Sequence, residues 1–312
     1  MTVPDPTISR ELSKRIGRIG AYSFQFDALP MAEMRPAVAA IEALGYGAIW
    51  VPEFLAKEIY SNVALMLAAT ERVPVIPAIA NIYARDPMAA ANAGRTLAEA
   101  FPGRFVHGLG VSHAITVEKR GSRYGPPVKT MRDYLDAMTK ARYMGAKPTA
   151  EPPVLIAALG PKMLDLAASS TQGAQTYFVP VEHTRLARER LGPGPVLAVE
   201  LAFVLEPDAA KARAIARDYA IPYARLPNYA NNLRRLGWSD EDLQGAGTSA
   251  QPIPSDALVD AIVARGGPED IAARVRAHLD AGADQVCVQP ITDRRTSPVP
   301  ALRAVWPALR DL

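Results

Sequence analysis

Cysteine and histidine are scarce in this chain, which has one cysteine, Cys287, and four histidines among 312 residues. A single cysteine excludes an internal disulfide framework. The four scattered histidines form no HxH pair and the cysteine no CxxC pair, which are the spacings typical of metal ligands. We therefore expect no metal site.

Long apolar runs and a strong charge bias are also missing. No uninterrupted apolar stretch approaches the roughly 20 residues needed to cross a bilayer, and the segment MTVPDPTISRELSKR lacks the apolar core of a secretory signal. The net charge is only +3 and the arginines are scattered, which disfavours nucleic acid as a partner. These absences predict a cytoplasmic protein that binds neither nucleic acid nor membrane.

What the chain does contain is a regular alternation of apolar segments and amphipathic, alanine-rich segments. The pattern predicts eight strands, most of them apolar on both faces as in parallel sheets, at 16–24, 46–52, 73–80, 104–111, 153–158, 174–179, 196–205 and 284–289. Helices are predicted between them, including 31–44, 87–101, 129–144, 161–170, 207–220 and 268–281.

Eight β/α units predict an α/β fold of the (β/α)8 TIM-barrel type, with one domain spanning residues 1–312. Two segments exceed ordinary loop length, 112–128 after strand 4 and 222–266 after strand 7, and are predicted insertions. A doubly wound open sheet is the competing architecture. Against it, no GxGxxG follows the first strand, and strands are spread over the whole chain.

The fourth predicted strand ends in an unusual way, in the segment GRFVHGLGVSHA (103–114). Gly108 and Gly110 would let a planar ring approach the strand backbone closely. Ser112 and His113 then follow at the barrel mouth, and an imidazole exchanges protons near neutral pH. His113 is therefore a candidate catalytic acid or base, with a structural histidine as the alternative.

Four further blocks of sequence are NIYARDP (81–87), GRFVHGLGVSHA, AALGPKMLDLAA (157–168) and GGPEDIAARVRAHLDAGADQVCVQP (266–290). Together with IEALGYGAIWVPE (41–53), these blocks resemble the luciferase-like monooxygenase superfamily, and most closely its branch of oxidoreductases that use the deazaflavin coenzyme F420. They occur in the family's order and span nearly the whole chain. The resemblance implies a barrel that holds F420, or FMN as in some relatives, across its mouth.

The resemblance also implies which residues hold the coenzyme. The back of the ring would lie on a bulge with a non-prolyl cis peptide at the end of the third strand, and the fourth strand end would flank it; the matching residues are Ala78, Ile79, Ala80, Asn81, Gly110, Val111 and Ser112. The phosphate would lie at a helix N-terminus, where free amides attract anions. The matching residues there are Leu159, Gly160, Lys162 and Met163, with a plain loop and a solvated Lys162 as the alternative.

At the catalytic positions this chain departs from the family pattern. Where the family commonly has a carboxylate after the fourth strand, this chain has His113. Where the family often has an acid and then an imidazole after the second strand, it has Glu53 followed by Phe54. Glu53 is the second catalytic candidate, with an ion pair to a loop arginine such as Arg85 as its alternative.

The leading functional prediction is an F420-dependent oxidoreductase that transfers a hydride to or from a small organic substrate, working as a homodimer. An FMN-dependent monooxygenase is the first alternative and a non-catalytic coenzyme-binding barrel is the second. The sequence leaves the substrate and the reaction direction open.

Overall fold

A computed structural model describes residues 5–245, 247–248 and 251–312 of the chain. Parts of two sequence predictions, the N-terminal residues 1–4 of the domain and residues 246 and 249–250 of the second insertion, lie outside these described residues. The strands within them are Ile19–Tyr22 (β1), Ile49–Val51 (β2), Val75–Pro77 (β3), Ala80–Asn81 (β4), His107–Gly110 (β5), Val154–Ala157 (β6), Gly173–Thr176 (β7), Val196–Leu205 (β8), Ala264–Gly266 (β9) and Gln285–Pro290 (β10).

The helices alternate with these strands along most of the chain. They are Pro6–Ile16 (α1), Gln25–Ala28 (α2), Met31–Leu44 (α3), Ile59–Leu67 (α4), Pro87–Ala100 (α5), Ala114–Lys119 (α6), Pro127–Thr139 (α7), Pro161–Ser170 (α8), Val181–Leu191 (α9), Ala209–Ala224 (α10), Pro227–Arg235 (α11), Asp240–Gln244 (α12), Asp256–Ile262 (α13), Pro268–Asp280 (α14) and Val299–Leu309 (α15).

The strands form a nearly closed parallel barrel, which confirms the predicted fold class. Their order is β3-β2-β1-β10-β8-β7-β6-β5-β4, and β9 adds to the far end of β8. A parallel bridge between Val75 and Phe105 joins β3 to the segment before β5 and brings the two edges together. Since β3 and β4 are two halves of the third barrel strand, the barrel consists of eight strand positions in chain order.

The predicted strand 16–24 begins three residues too early, because Ile16 is the last residue of α1. This helix lies across the N-terminal end of the barrel. Its buried Leu12 and Ile16 pack with Trp50, Val106 and other interior side chains, which closes that end. Burying such an apolar side chain completely is worth about 1.5–3 kcal/mol.

Helix ends follow the local sequence chemistry. Gly45 ends α3 in the left-handed conformation with φ 102°, and Asp86 caps α5 by accepting a hydrogen bond from Ala89 N at 3.0 Å. The predicted helix 129–144 is shorter than expected and lies at Pro127–Thr139. A proline can occupy the first helical position, where its missing N–H costs nothing.

The two long segments contain structure of their own. The first carries α6, and the second carries the last turn of α10, then α11, α12, α13 and β9. Helix α10 packs its buried alanines, Ala212, Ala216 and Ala220, with Ala202 and Val204 of β8. This packing sets the start of α11 beside the barrel mouth. No helix in the described ranges is long and apolar enough to cross a membrane.

Candidate functional site

A cavity of about 630 Å³ opens at the C-terminal ends of the barrel strands. Most of the residues predicted from the sequence line it together: Glu53, Ala78, Ile79, Gly110, Val111, Ser112, His113, Leu159, Gly160, Lys162 and Met163. Ala80 and Asn81 do not line it. They are buried, and their backbones pair with Leu109 and Gly110 as β4 against β5.

The wall beside β3 is built by the interruption of the third barrel strand. The peptide bond between Ala78 and Ile79 is cis, and neither residue is followed by proline. Tyr22 donates a hydrogen bond through its hydroxyl to the Ala78 carbonyl at 2.8 Å, while Ala78 N donates to Val51 O at 2.7 Å. These contacts hold Ala78 and Ile79 at the cavity surface.

The glycines of β5 were expected to let a planar ring approach the strand, and in the fold they also make room for a neighbouring strand. A methyl group on Gly108 would overlap the Pro77 carbonyl oxygen, and one on Gly110 would overlap the Ile79 side chain. Both glycines therefore make room for the third barrel strand. Gly110 still lines the cavity, but its open space is taken by Ile79.

Glu53 lies at the cavity edge in a bidentate ion pair. Its carboxylate accepts hydrogen bonds from Arg85 Nη2 at 2.6 Å and Arg85 Nη1 at 3.0 Å, and from Asn81 N at 2.7 Å. Only 3% of the Glu53 side chain is exposed. The structural alternative considered for Glu53, the ion pair with Arg85, is thus present, and the carboxylate also fixes the backbone just beyond Ile79.

His113 lines the cavity at the start of α6. Its Nδ1 lies 3.1 Å from Asn228 Oδ1, and since an amide oxygen only accepts, Nδ1 donates this bond. Neutral His113 then carries its free lone pair on Nε2. Burial lowers the pKa of His113, with a smaller opposing effect from Asn228, so the neutral imidazole dominates at pH 7.

One end of the cavity is cationic and lies at the N-terminus of α8, where the Met163 amide already donates to Gly160 O at 3.1 Å. Gly160 caps α8 with no side-chain hydrogen bond to the first turn, and Lys162 lies in that turn. Arg235 of α11 also lines the cavity there, and a methyl group on Gly160 would lie 3.2 Å from Arg235 Nη2. Sequence reasoning did not identify Arg235, because it is 75 positions beyond Gly160 in the chain and only the fold brings them together.

His183 contacts the loop at this end of the cavity. Its Nε2 lies 2.9 Å from the Leu159 carbonyl oxygen, so that Nε2 donates and Nδ1 is left as an acceptor. Burial lowers the pKa of His183, which keeps the ring neutral. The imidazole thereby ties α9 to the loop that carries Leu159 and Gly160.

One side of the cavity is aromatic. It is lined by Tyr22, Phe24, Tyr177, Tyr223 and Tyr229, none of which was predicted as a site residue. The ring centroids of Tyr22 and Tyr177 are 5.6 Å apart, and those of Tyr177 and Tyr223 are 5.3 Å apart. Aromatic pairs at this spacing pack favourably, and they give this side an apolar surface with hydroxyl groups at its edge.

A carboxyl group is buried beneath this aromatic side. Glu200 of β8 is 2% exposed, its Oε2 accepts a hydrogen bond from Phe178 N at 3.3 Å, and its Oε1 has no partner among the described residues. Burial raises the pKa of Glu200 to about 8. The side chain is therefore mainly protonated and neutral at pH 7.

The fold and this mouth-end cavity define a member of a known enzyme family. Residues 17–285 match the family model described as luciferase-like monooxygenase. Because the match covers most of the chain, the chain belongs to this family.

Two curated relatives illustrate its range. The 5,10-methylenetetrahydromethanopterin reductase of Methanolobus tindarius is 24% identical over 282 residues, which are 78% of this chain and 86% of that protein. A protein of Mycobacterium tuberculosis named "Putative coenzyme F420-dependent oxidoreductase" is 30% identical over 168 residues, 53% of this chain and 46% of that protein.

Solved structures share the barrel. An F420-dependent secondary alcohol dehydrogenase in complex with an F420-acetone adduct matches with a TM-score of 0.71 at 17% identity, covering 95% of this chain and 99% of that chain. The oxygenating constituent of 3,6-diketocamphane monooxygenase of Pseudomonas putida, in complex with FMN, matches with a TM-score of 0.65 at 14% identity, covering 93% and 96%. At these identities the likeness shows the fold alone.

Proposed function

We propose that this protein is an F420-dependent oxidoreductase acting on a small organic substrate. The observation that carries the proposal is one cavity in which a cationic end, at Gly160, Lys162 and Arg235, adjoins an apolar middle at Ile79 and Val111. A coenzyme with a flat ring and an anionic tail fits this arrangement, with the ring in the apolar middle and the tail at the cationic end. The names of the relatives that use F420 support this choice.

The residues present fit the coenzyme. The apolar wall formed by Ala78, Ile79 and Val111 would take the ring, and the N-terminus of α8 with Lys162 and Arg235 would take the phosphate. When bound, F420 supplies or accepts a hydride at C5 of its ring. The protein contributes binding, orientation and proton management.

His113 is proposed for proton management near the ring, and Glu53 for positioning the wall beside it. His113 is neutral with Nε2 free, so it can accept or relay a proton. Glu53 is held by Arg85 and Asn81 N, and we propose that it positions the wall at Ile79. Its predicted proton transfer would require the Arg85 contact to open.

The experiment that tests the proposal is a parallel titration of the purified protein with F420 and with FMN, followed by intrinsic fluorescence and absorbance. We expect F420 to bind more tightly. Preferential binding of FMN would instead favour a flavin-dependent monooxygenase, the function supported by the FMN-bound relative. Failure of both to bind would refute the coenzyme assignment.

Matched variants locate the anionic tail in the same titration. Arg235→Gln should weaken F420 binding by about tenfold or more, because hydrogen bonds to charged groups contribute about 1.5–3 kcal/mol. Arg234→Gln is the control, since Arg234 is the next residue on α11 but pairs with Asp240 at 2.7 Å outside the cavity. Equal losses in both variants would mean that the tail binds elsewhere.

A second matched pair tests the need for free space beside Gly160. Gly160→Val would place a branched side chain against Arg235 and should weaken coenzyme binding. Gly194→Val is the control, because a methyl group there meets no described atom within 4 Å.

We further propose that each subunit is one domain in a cytoplasmic homodimer. Light scattering of the purified protein tests whether it is a dimer.

A further inference from the structure

Three tyrosine hydroxyls meet at the aromatic side of the cavity, and the coenzyme assignments do not use them. We name Tyr177, Tyr219 and Tyr223 the tyrosine cluster. Tyr219 and Tyr223 lie four residues apart on α10 and so share one face of the helix. Tyr177 follows β7, and Tyr177 and Tyr223 line the cavity whereas Tyr219 lies behind them.

The hydroxyl of Tyr177 is the centre of the cluster. Tyr219 donates a hydrogen bond to it at 2.9 Å, it can donate to Gln289 Oε1 at 3.1 Å, and Tyr223 lies 2.8 Å from it on the cavity side. Each phenol has a single proton. If Tyr177 donates to Gln289, Tyr223 must donate to Tyr177, and Tyr223 then offers only lone pairs to the cavity.

A second proton arrangement needs no movement of heavy atoms. If Tyr177 donates to Tyr223, the Tyr223 proton is free to point into the cavity. In the first arrangement Tyr223 accepts a hydrogen bond from an alcohol, and in the second it donates one to a carbonyl. The cluster can therefore form a hydrogen bond with either the alcohol or the carbonyl form of the same substrate.

The surroundings also stabilise the deprotonated form of Tyr223 relative to its neighbours. Burial raises the pKa of all three phenols, but that of Tyr223 rises only to about 12, because the Tyr177 hydrogen bond and the Arg294 charge oppose the effect of burial. Arg294 lines the same cavity, with its guanidinium 5.1 Å from the centre of the Phe24 ring. Tyr223 is thus the member of the cluster that ionises most readily.

We propose that Tyr223 binds the oxygen of an alcohol or carbonyl substrate and exchanges a proton with it, which rests on the proposed F420-dependent function. In the reducing direction the carbonyl carbon receives the hydride from reduced F420, its C–O π bond breaks, and the oxygen takes the Tyr223 proton. The Tyr223 phenolate accepts a hydrogen bond from Tyr177 and regains a proton from water. The oxidation of an alcohol reverses each transfer, with oxidised F420 as the hydride acceptor.

The rest of this side defines the carbon body of the substrate. Tyr22, Phe24 and Leu226 line the cavity next to Tyr223 and present apolar surface. Such a wall favours carbon rings or branched chains. The substrate class is therefore an apolar alcohol or ketone with its oxygen at one end of an apolar body.

The test compares probes that differ only in oxygen. Binding of cyclohexanone, cyclohexanol and methylcyclohexane is measured by ligand-observed NMR, with and without F420, for the wild type, Tyr223→Phe and the control Tyr143→Phe. Tyr143 lies outside the cavity lining. Tyr223→Phe should weaken cyclohexanone and cyclohexanol about two- to tenfold, the usual net value of one hydrogen bond, and leave methylcyclohexane unchanged. Equal binding of the oxygenated probes in all three proteins overturns the inference.

Single-turnover hydride transfer with these two oxygenated probes is the second measurement. Tyr223→Phe should slow it by about a hundredfold or more, the contribution expected of a positioned acid or base, with F420 affinity within twofold of wild type. Unchanged transfer overturns the inference while leaving the proposed function intact. Absence of F420 binding overturns the proposed function, and the probe selectivity measured without coenzyme then decides separately whether Tyr223 binds substrate oxygen.

Discussion

Replacing Glu200 by glutamine should make the protein more stable at alkaline pH. Glu200 is buried in β8 with one oxygen lacking a partner among the described residues, and burial raises its pKa to about 8 from 4.5. One pKa unit corresponds to about 1.36 kcal/mol. The burial of the charged form therefore costs roughly 5 kcal/mol once the carboxyl is ionised in both the folded and the unfolded protein.

The sign of the pH dependence follows from proton binding. Between pH 4.5 and 8 the folded protein keeps the Glu200 proton that the unfolded chain releases, so stability falls as the pH rises through this window. Above pH 8 the loss in free energy of unfolding has reached its full value and no longer changes with pH. Glutamine is neutral at every pH and similar in shape, so Glu200→Gln removes this fall.

The assay is urea unfolding of the wild type and Glu200→Gln at several pH values from 5 to 9. From pH 5 to pH 9 the free energy of unfolding of Glu200→Gln should rise by several kcal/mol relative to that of the wild type. Glu189→Gln is the control because Glu189 is exposed on α9. Parallel curves for wild type and Glu200→Gln across this range would show that Glu200 is ionised and satisfied in the folded protein.

Two further predictions concern packing and catalysis. Gly94→Ala should lower the melting temperature although alanine favours helices by about 1 kcal/mol, because its methyl group would overlap His107 Nε2; a stabilised variant would contradict the packing. His113→Ala should slow single-turnover hydride transfer about a hundredfold or more while leaving F420 affinity nearly unchanged; unaltered transfer would remove His113 from the mechanism.

Features that depend on neighbouring residues were predictable from the sequence. The alternation of apolar and amphipathic segments predicts the eight barrel positions, and Gly45 and Asp86 mark helix ends through local backbone and capping chemistry. The segment 103–114 indicates the barrel mouth for the same reason. The fold alone shows that its glycines also make room for the third barrel strand, because it places Ile79 beside Gly110.

Features that depend on distant contacts were missed. Arg235 reaches Gly160, and Asn228 reaches His113, only because α11 lies beside the barrel mouth. Some signals were nevertheless present. The spacing of Tyr219 and Tyr223 puts both on one helical face, and Glu200 is a single ionisable residue inside an apolar strand.

The packing of α1 against the barrel interior determines how molecules reach the cavity. Because Leu12 and Ile16 close the N-terminal end, the proposed coenzyme and substrate would both enter the cavity that the described residues form at the opposite end of the barrel. Whichever occupant lies deeper must enter first and depart last. Steady-state kinetics should accordingly show a compulsory order of addition, with an excess of the outer ligand trapping the inner one in an unproductive complex.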